Sequence, residues 1–190
     1  MNKIILASGS PRRKQLLELA EISFEVKVSD ADESFPAGLS SSETAMHIAA
    51  NKALDVQANL VRHNGHAQTI IAADTVVVLQ NKIIGKPRDR EDAIEILSSL
   101  SGKTHKVITG VCILLSAKKM IFAEETEVEF YPLSLSQIEY YIDYYKPYDK
   151  AGAYAIQEWI GAIGIKSIKG DFYNVMGLPV SRVVKALQSL

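Results

Sequence analysis

The stretch Ile4–Arg13 reads I-I-L-A-S-G-S-P-R-R, and the rest of the chain is read outward from it. Four apolar residues, Ile4 to Ala7, have the length and character of a buried strand. Ser8-Gly9-Ser10 breaks the run, and Pro11 opens a helical pattern carrying Leu16, Leu17 and Ala20. Ser10 is a suitable N-cap and Pro11 a suitable first helical residue, since that position needs no amide donor. A strand, a Ser/Gly turn and a helix N-terminus together offer backbone N–H groups and the positive end of a dipole, a ready site for an anion. Arg12 and Arg13 add two guanidinium groups there. The stretch alone serves equally well as a phosphate cradle or as a loop with two solvated arginines.

A strand–turn–helix opening predicts an α/β protein, and the remaining pattern agrees. Phe24–Val28 alternates like a strand and runs into the acidic loop Asp30-Ala31-Asp32-Glu33. Ser40 and Glu43 form a capping-box signature ahead of a helix to about Arg62, with Ala45, Ala49, Ala53, Val56 and Leu60 on one face and Lys52 beside them. Thr69–Leu79 (T-I-I-A-A-D-T-V-V-V-L) is apolar on both faces, the mark of a central covered strand. Asp74 in its middle must be paired, hydrogen-bonded or metal-bound if buried. It marks either a strand end opening into a cleft or an internal turn, and the absence of turn residues around it favours the cleft. Asn81-Lys82 reads as a hairpin turn returning through Ile83-Ile84 to Gly85-Lys86-Pro87. Asp89 caps the next helix, which Gly102 ends.

Thr104–Leu115 and Ile121–Tyr131 read as long antiparallel strands, the second with Thr126, Val128 and Phe130 on one side and Glu125, Glu127 and Glu129 on the wet side. Ser134 and Gln137 start a helix with the stripe Ile138, Tyr141, Ile142 and Tyr145; its excess of tyrosines fits core packing or an oligomer contact. Pro147–Gln157 is expected as a loop and short strand, and Ile160–Ile168 as a further strand. Asp171–Asn174 is expected as a turn, and Pro179 opens the last helix. The fold class predicted is α/β with a mixed, curved sheet flanked by helices, in one domain over residues 1–190.

Composition excludes several classes. The chain has 190 residues, 47% hydrophobic and 23% charged, with a net charge of −1, so no global field draws it to nucleic acid or an anionic membrane. No run approaches a membrane span, and Met1-Asn2-Lys3 leads into a strand rather than a signal sequence. The one cysteine, Cys112, lies in an apolar run and fits a small core residue in a reducing cytoplasm. His47, His63, His66 and His105 lack zinc spacing, and His63–His66 reads as a surface turn.

Seven segments occur in the order found in the Maf family, the septum-formation-inhibitor proteins. They are L-A-S-G-S-P-R-R-x-x-L-L, A-A-D-T-V-V, G-K-P, L-S-G-K-T-H-K-V-I-T, E-T-E-V-x-F, D-K-A-G-A-Y-A-I-Q and V-M-G-L-P, spanning Leu6 to about Leu187. The D-K-A-G-A-Y-x-I-Q form resembles the branch acting on dTTP and UTP rather than the one preferring 7-methyl-GTP. The resemblance implies a deep nucleotide-binding cleft in a Maf/ITPase-like fold and a cytoplasmic homodimer. It also implies hydrolysis of a nucleoside triphosphate between the α- and β-phosphates with a divalent cation, Mg²⁺ or Mn²⁺. By position, Asp74 is the proton acceptor, Arg12, Thr75 and Gln157 bear on substrate choice, and Ser8, Arg13, Glu33, Lys52 and Lys86 line the triphosphate and metal site. Glu33 and Asp74 are the expected metal carboxylates, with Asp32 a possible third. The chain departs from the pattern after Gln157, where Glu158-Trp159 replaces small residues; Trp159 either stacks on a base or is a surface aromatic. Two other readings remain: a non-catalytic nucleotide- or protein-binding regulator of division, and a nucleotidyltransferase.

Overall fold

A computed structural model describes residues 4–64, 68–116 and 118–189 of the chain. The elements in order are β1 (Ile4–Leu6), α1 (Pro11–Leu19), β2 (Phe24–Val26), α2 (Ser41–Asn64), β3 (Thr69–Leu79), β4 (Lys82–Ile84) and α3 (Arg90–Leu100). There follow β5 (Thr104–Leu115), β6 (Lys118–Phe130), α4 (Leu135–Tyr145), a 3₁₀ turn at Ala151–Ala153, α5 (Trp159–Gly164), β7 (Ile165–Lys169), α6 (Phe172–Met176) and α7 (Val180–Gln188). The strand order is β2-β1-β3-β5-β6-β7, with β4 on β3. β1 pairs in parallel with β2 and β3, while β3–β4 and β6–β7 are antiparallel. This is the mixed α/β sheet that the sequence predicts.

The chain forms two compact units. The first comprises Met1–Asp74, Thr109–Glu124 and Gly177–Leu190; the second comprises Thr75–Ile108 and Glu125–Met176. In the first, the small residues Ala49, Ala53 and Val56 of α2 pack with Ile5, Ile70, Ala72, Cys112 and Leu114. Gly110 is what lets α2 lie so close to β5, because a Cβ there would stand 2.3 Å from the carbonyl carbon of Ala45. Burial raises the Cys112 thiol to about 11, so it behaves as a small apolar residue. In the second unit, Val128, Phe130, Ile138, Tyr141, Leu97 and Leu100 are buried.

Local signals explain most of the element boundaries. Ser40 and Glu43 form their capping box: the Ser40 N–H donates to Glu43 Oε2 at 2.8 Å and the Glu43 N–H to Ser40 Oγ at 3.2 Å. Asp89 caps α3 by accepting from the Asp92 N–H, and Ser134 with Gln137 caps α4 reciprocally. On β6, Thr126, Val128 and Phe130 are buried as the alternation predicts. The glutamates of its other side meet lysines: Glu125 with Lys106, Glu127 with Lys169 and Glu129 with Lys166.

Six expectations are corrected. β2 stops at Val26 rather than Val28. The hairpin turn is Gln80-Asn81, both at positive φ as a two-residue turn of this hand requires, and Lys82 is already in β4. Asp74 does not end its strand, for β3 continues to Leu79. Asp171–Asn174 is not a turn, since Phe172–Asn174 already belong to the short helix α6. Tyr154–Gln157 is not a strand, and Ile160–Gly164 is helical, only Ile165–Lys169 being strand. The last goes with a close local contact: the helical turn seats Gly161 so near Ile156 that a Cβ would fall 1.8 Å from its carbonyl oxygen. Glycine there signals close approach rather than an interrupted strand. The turn expected at His63–His66 and the expectation for Met1–Lys3 fall on Gly65, His66 and the first three residues, which lie outside the described residues.

Candidate functional site

In the first unit the residues expected to meet a triphosphate gather from distant segments. Ser8, just after β1, is buried, and its Oγ accepts from the Ser10 N–H at 3.2 Å and from Arg13 Nη1 at 3.1 Å. Arg13, in the first turn of α1, also donates from Nε to the Gly177 carbonyl at 2.8 Å. Its side chain is thereby fixed from both ends of the chain. Burial lowers the Arg13 pKa, Asp74 pushes it up, Arg12 lowers it and Glu33 raises it, so all four charges share one electrostatic neighbourhood. Ser10 occupies the N-cap of α1 with extended backbone, but its side chain makes no cap hydrogen bond. The serine hydroxyl serving this turn is that of Ser8.

Lys52 lies two turns into the buried stripe of α2, and its ammonium sits between two carboxylates, 2.7 Å from Asp74 Oδ1 and 2.7 Å from Glu33 Oε1. The side chains of Lys52 and Asp74 are 12% and 14% exposed, whereas that of Glu33 is 52% exposed. The condition for a carboxylate in an apolar strand is met by this pairing. Both oxygens converge on the Lys52 ammonium, so a divalent cation, which takes one or two protein carboxylates and keeps waters, would have to displace that ammonium to be held by this pair. Asp32 does not join them. Its carboxylate accepts from the Ser34 N–H at 3.0 Å and the Ser34 hydroxyl at 2.7 Å, which also holds its pKa below the ordinary value. Among the described residues no group of three or more His, Cys, Asp or Glu is arranged to hold a metal.

The other expected residues belong to the second unit. Thr75 is half-buried in β3, and Lys86 is exposed in the loop after β4. That loop is tied down by the Gly85 carbonyl, which accepts from the Gly152 N–H at 3.0 Å. Gln157 is exposed and lines a groove of about 450 Å³ together with Ile156, Gly161, Ile165, Ile168 and Phe172. Trp159 is half-buried and packs its ring edge-on against Tyr140, centroids 4.9 Å apart. Sequence reasoning missed two contributors. Gly177 appeared only as part of V-M-G-L-P, although its carbonyl anchors Arg13. The Tyr141 hydroxyl was hidden inside an apolar helical stripe.

A mixed-sheet α/β protein with a buried arginine cradle and a lysine clamped between two carboxylates is the class that fold and site define. The chain belongs to the Maf family: the family model described as Maf-like protein matches residues 3–190. Relatives named dTTP/UTP pyrophosphatase are similar over nearly the whole chain. The one from Cytophaga hutchinsonii is 49% identical, covering 98% of this chain and 84% of its own. That from Bacteroides thetaiotaomicron is 47% identical (99% and 96%) and that from Bacillus cereus 45% identical (99% and 95%). A solved nucleoside-triphosphatase / dITP/XTP pyrophosphatase from Mycobacterium abscessus aligns at 15% identity over 67% of this chain and 72% of that chain. Its TM-score of 0.34 is too low to assign residues by.

Proposed function

We propose that this protein is a nucleoside triphosphate pyrophosphatase that hydrolyses dTTP and UTP, or modified pyrimidine relatives, to the monophosphate and diphosphate. The observation that carries the reading is the Lys52–Asp74–Glu33 cluster beside buried Arg13, in a chain 45–49% identical to enzymes of that name.

In this reading Ser8, Arg12, Arg13 and Lys86 hold the triphosphate, whose concentrated charge a near-neutral protein must meet with a local cation cluster. Asp74, oriented by the Lys52 ammonium, takes a proton from water as its oxygen attacks the α-phosphorus. The bond from that phosphorus to the α–β bridging oxygen breaks, and diphosphate leaves. Positioning and charge stabilisation supply most of the rate in such displacements. Glu33 and Asp74 are the carboxylates that would hold a divalent cation, Mg²⁺ or Mn²⁺, and its charge would offset that of the phosphates. Gln157 can read the alternating acceptor–donor–acceptor edge of a pyrimidine dione through one donor and one acceptor, with Thr75 adding a hydroxyl.

The reading includes a cytoplasmic homodimer in one functional domain. Among the described residues no helix is long and apolar enough to cross a membrane. Tyr140 and Tyr144 leave aromatic surface exposed on α4, and sedimentation tests the dimer.

Diphosphate release from a nucleotide panel with Mg²⁺ or Mn²⁺ and no acceptor tests the function. Release from dTTP and UTP supports it. Release only with a sugar phosphate turns the reading to a nucleotidyltransferase, and binding without release to a regulator.

A further inference from the structure

Gln157 presents an amide to the groove, yet among the described residues that amide makes no hydrogen bond of its own. Its direction must therefore come from the backbone that carries it. That backbone is a tight turn from Ala155 to Glu158, closed by the Glu158 N–H donating to the Ala155 carbonyl at 3.1 Å, with Gln157 at its third position.

Both ends of this turn are held by one side chain. The Tyr141 hydroxyl accepts from the Ala155 N–H at 3.1 Å and donates to the Glu158 carboxylate. Tyr141 is fully buried on α4, so the hydroxyl has little room to exchange partners. Glu158 is restrained again by Lys150, whose ammonium lies 3.7 Å from its other oxygen and 2.7 Å from Asp149. Trp159, the next residue, is braced by Tyr140.

We propose that Tyr141 and Glu158 are positioning residues that fix the direction of the Gln157 amide and thereby set nucleobase preference. The proposal rests on the pyrimidine-triphosphatase reading above. A phenol bridging a main-chain N–H at one end of a turn to a carboxylate at the other constrains the residue between them without touching what it binds. Loss of the bridge lets the turn rotate, and an amide read through one donor and one acceptor loses both when misaligned.

The test is steady-state hydrolysis of dTTP, UTP and GTP by the full chain and by Tyr141→Phe, Glu158→Ala, Glu158→Gln and Gln157→Ala, with thermal melting recorded for each. Tyr141→Phe and Glu158→Ala are expected to raise KM for dTTP roughly tenfold with kcat within about twofold, the scale of one lost buried hydrogen bond. The dTTP-to-GTP ratio of kcat/KM should fall by the same factor. Glu158→Gln keeps an acceptor oxygen and is expected to retain the parental ratio. Combined with Gln157→Ala, Tyr141→Phe should lower the ratio no further. A lower melting temperature with an unchanged ratio in Tyr141→Phe and Glu158→Ala overturns the proposal and leaves a purely structural role. A parental protein that hydrolyses neither dTTP nor UTP overturns the functional reading itself, and this proposal with it.

Discussion

The two units use their buried polar groups differently. In the first, charge is buried and kept: Lys52 with Asp74 and Glu33, and Arg13 with Ser8 and the Gly177 carbonyl. The participants come from residues 8, 13, 33, 52, 74 and 177, so only the folded chain assembles them. In the second, charge around the aromatic core is removed. His105 is 2% exposed, bonds Tyr154 through Nε2 at 2.7 Å and stacks on Phe130, and burial pushes its pKa down to about 4. Burial likewise raises the Tyr154 phenol, leaving both groups neutral at pH 7. Near Gln157 the polar contacts come from a short run, Tyr141 to Glu158. A convergence of charges from distant segments suits a polyanion of any base, whereas a scaffold whose charges pair locally, Lys150 with Asp149 and Glu158, and which turns one amide to the groove suits a choice among bases.

Substitutions in each unit can break this contrast. The largest effect is expected from Asp74→Asn, which should cut turnover by roughly 10²–10⁴-fold for every nucleotide alike while binding persists. Near-parental dTTP and UTP turnover at saturating metal would remove Asp74 from the chemistry. The His105 shift predicts a stability change. Between pH 6.5 and 4 the unfolded chain takes up a proton that the folded chain does not, so stability falls as pH drops through that window, by about 3 kcal/mol in all. Denaturant titrations should show this slope, flattened in His105→Phe. Arg13→Ala strands the Gly177 carbonyl and should cost about 1–3 kcal/mol of stability besides activity. Unchanged melting together with unchanged kcat/KM would detach it from the site. The smallest effect belongs to Gln157→Ala: a shift of roughly tenfold in base preference with kcat preserved, since one amide contact carries about that much discrimination. An equal loss for all bases would instead make Gln157 part of the charge-handling apparatus.

Much of the fold could be read from periodicity and caps. The doubly apolar β3, the alternation of β6 and the boxes at Ser40/Glu43 and Ser134/Gln137 depend on neighbours in sequence, and each is seen. Tyr154–Gly164 misled because glycines in an apolar run look alike whether they break a strand or seat a helix. The distinction lies in the Ile156 carbonyl against Gly161, a contact invisible to periodicity. Within the site, Asp74 was visible as a carboxylate in an apolar strand that had to be paired. Lys52 stood out only through family resemblance, because one helical lysine looks like any other until Asp74 and Glu33 are brought to it. Tyr141 was legible as a core ring, and its hydroxyl chemistry was not.

The close seat of α2 on Gly110 acts as a fulcrum. Ala45 rests there, and Lys52 stands seven residues farther along the same helix. That is an arm of about 10 Å, so a tilt of roughly ten degrees at the seat would swing the lysine by about 2 Å. Displacement on that scale is comparable to the 2.7 Å contacts that Lys52 makes with Asp74 and Glu33. A single added methyl at position 110 would thus act on the reaction as leverage.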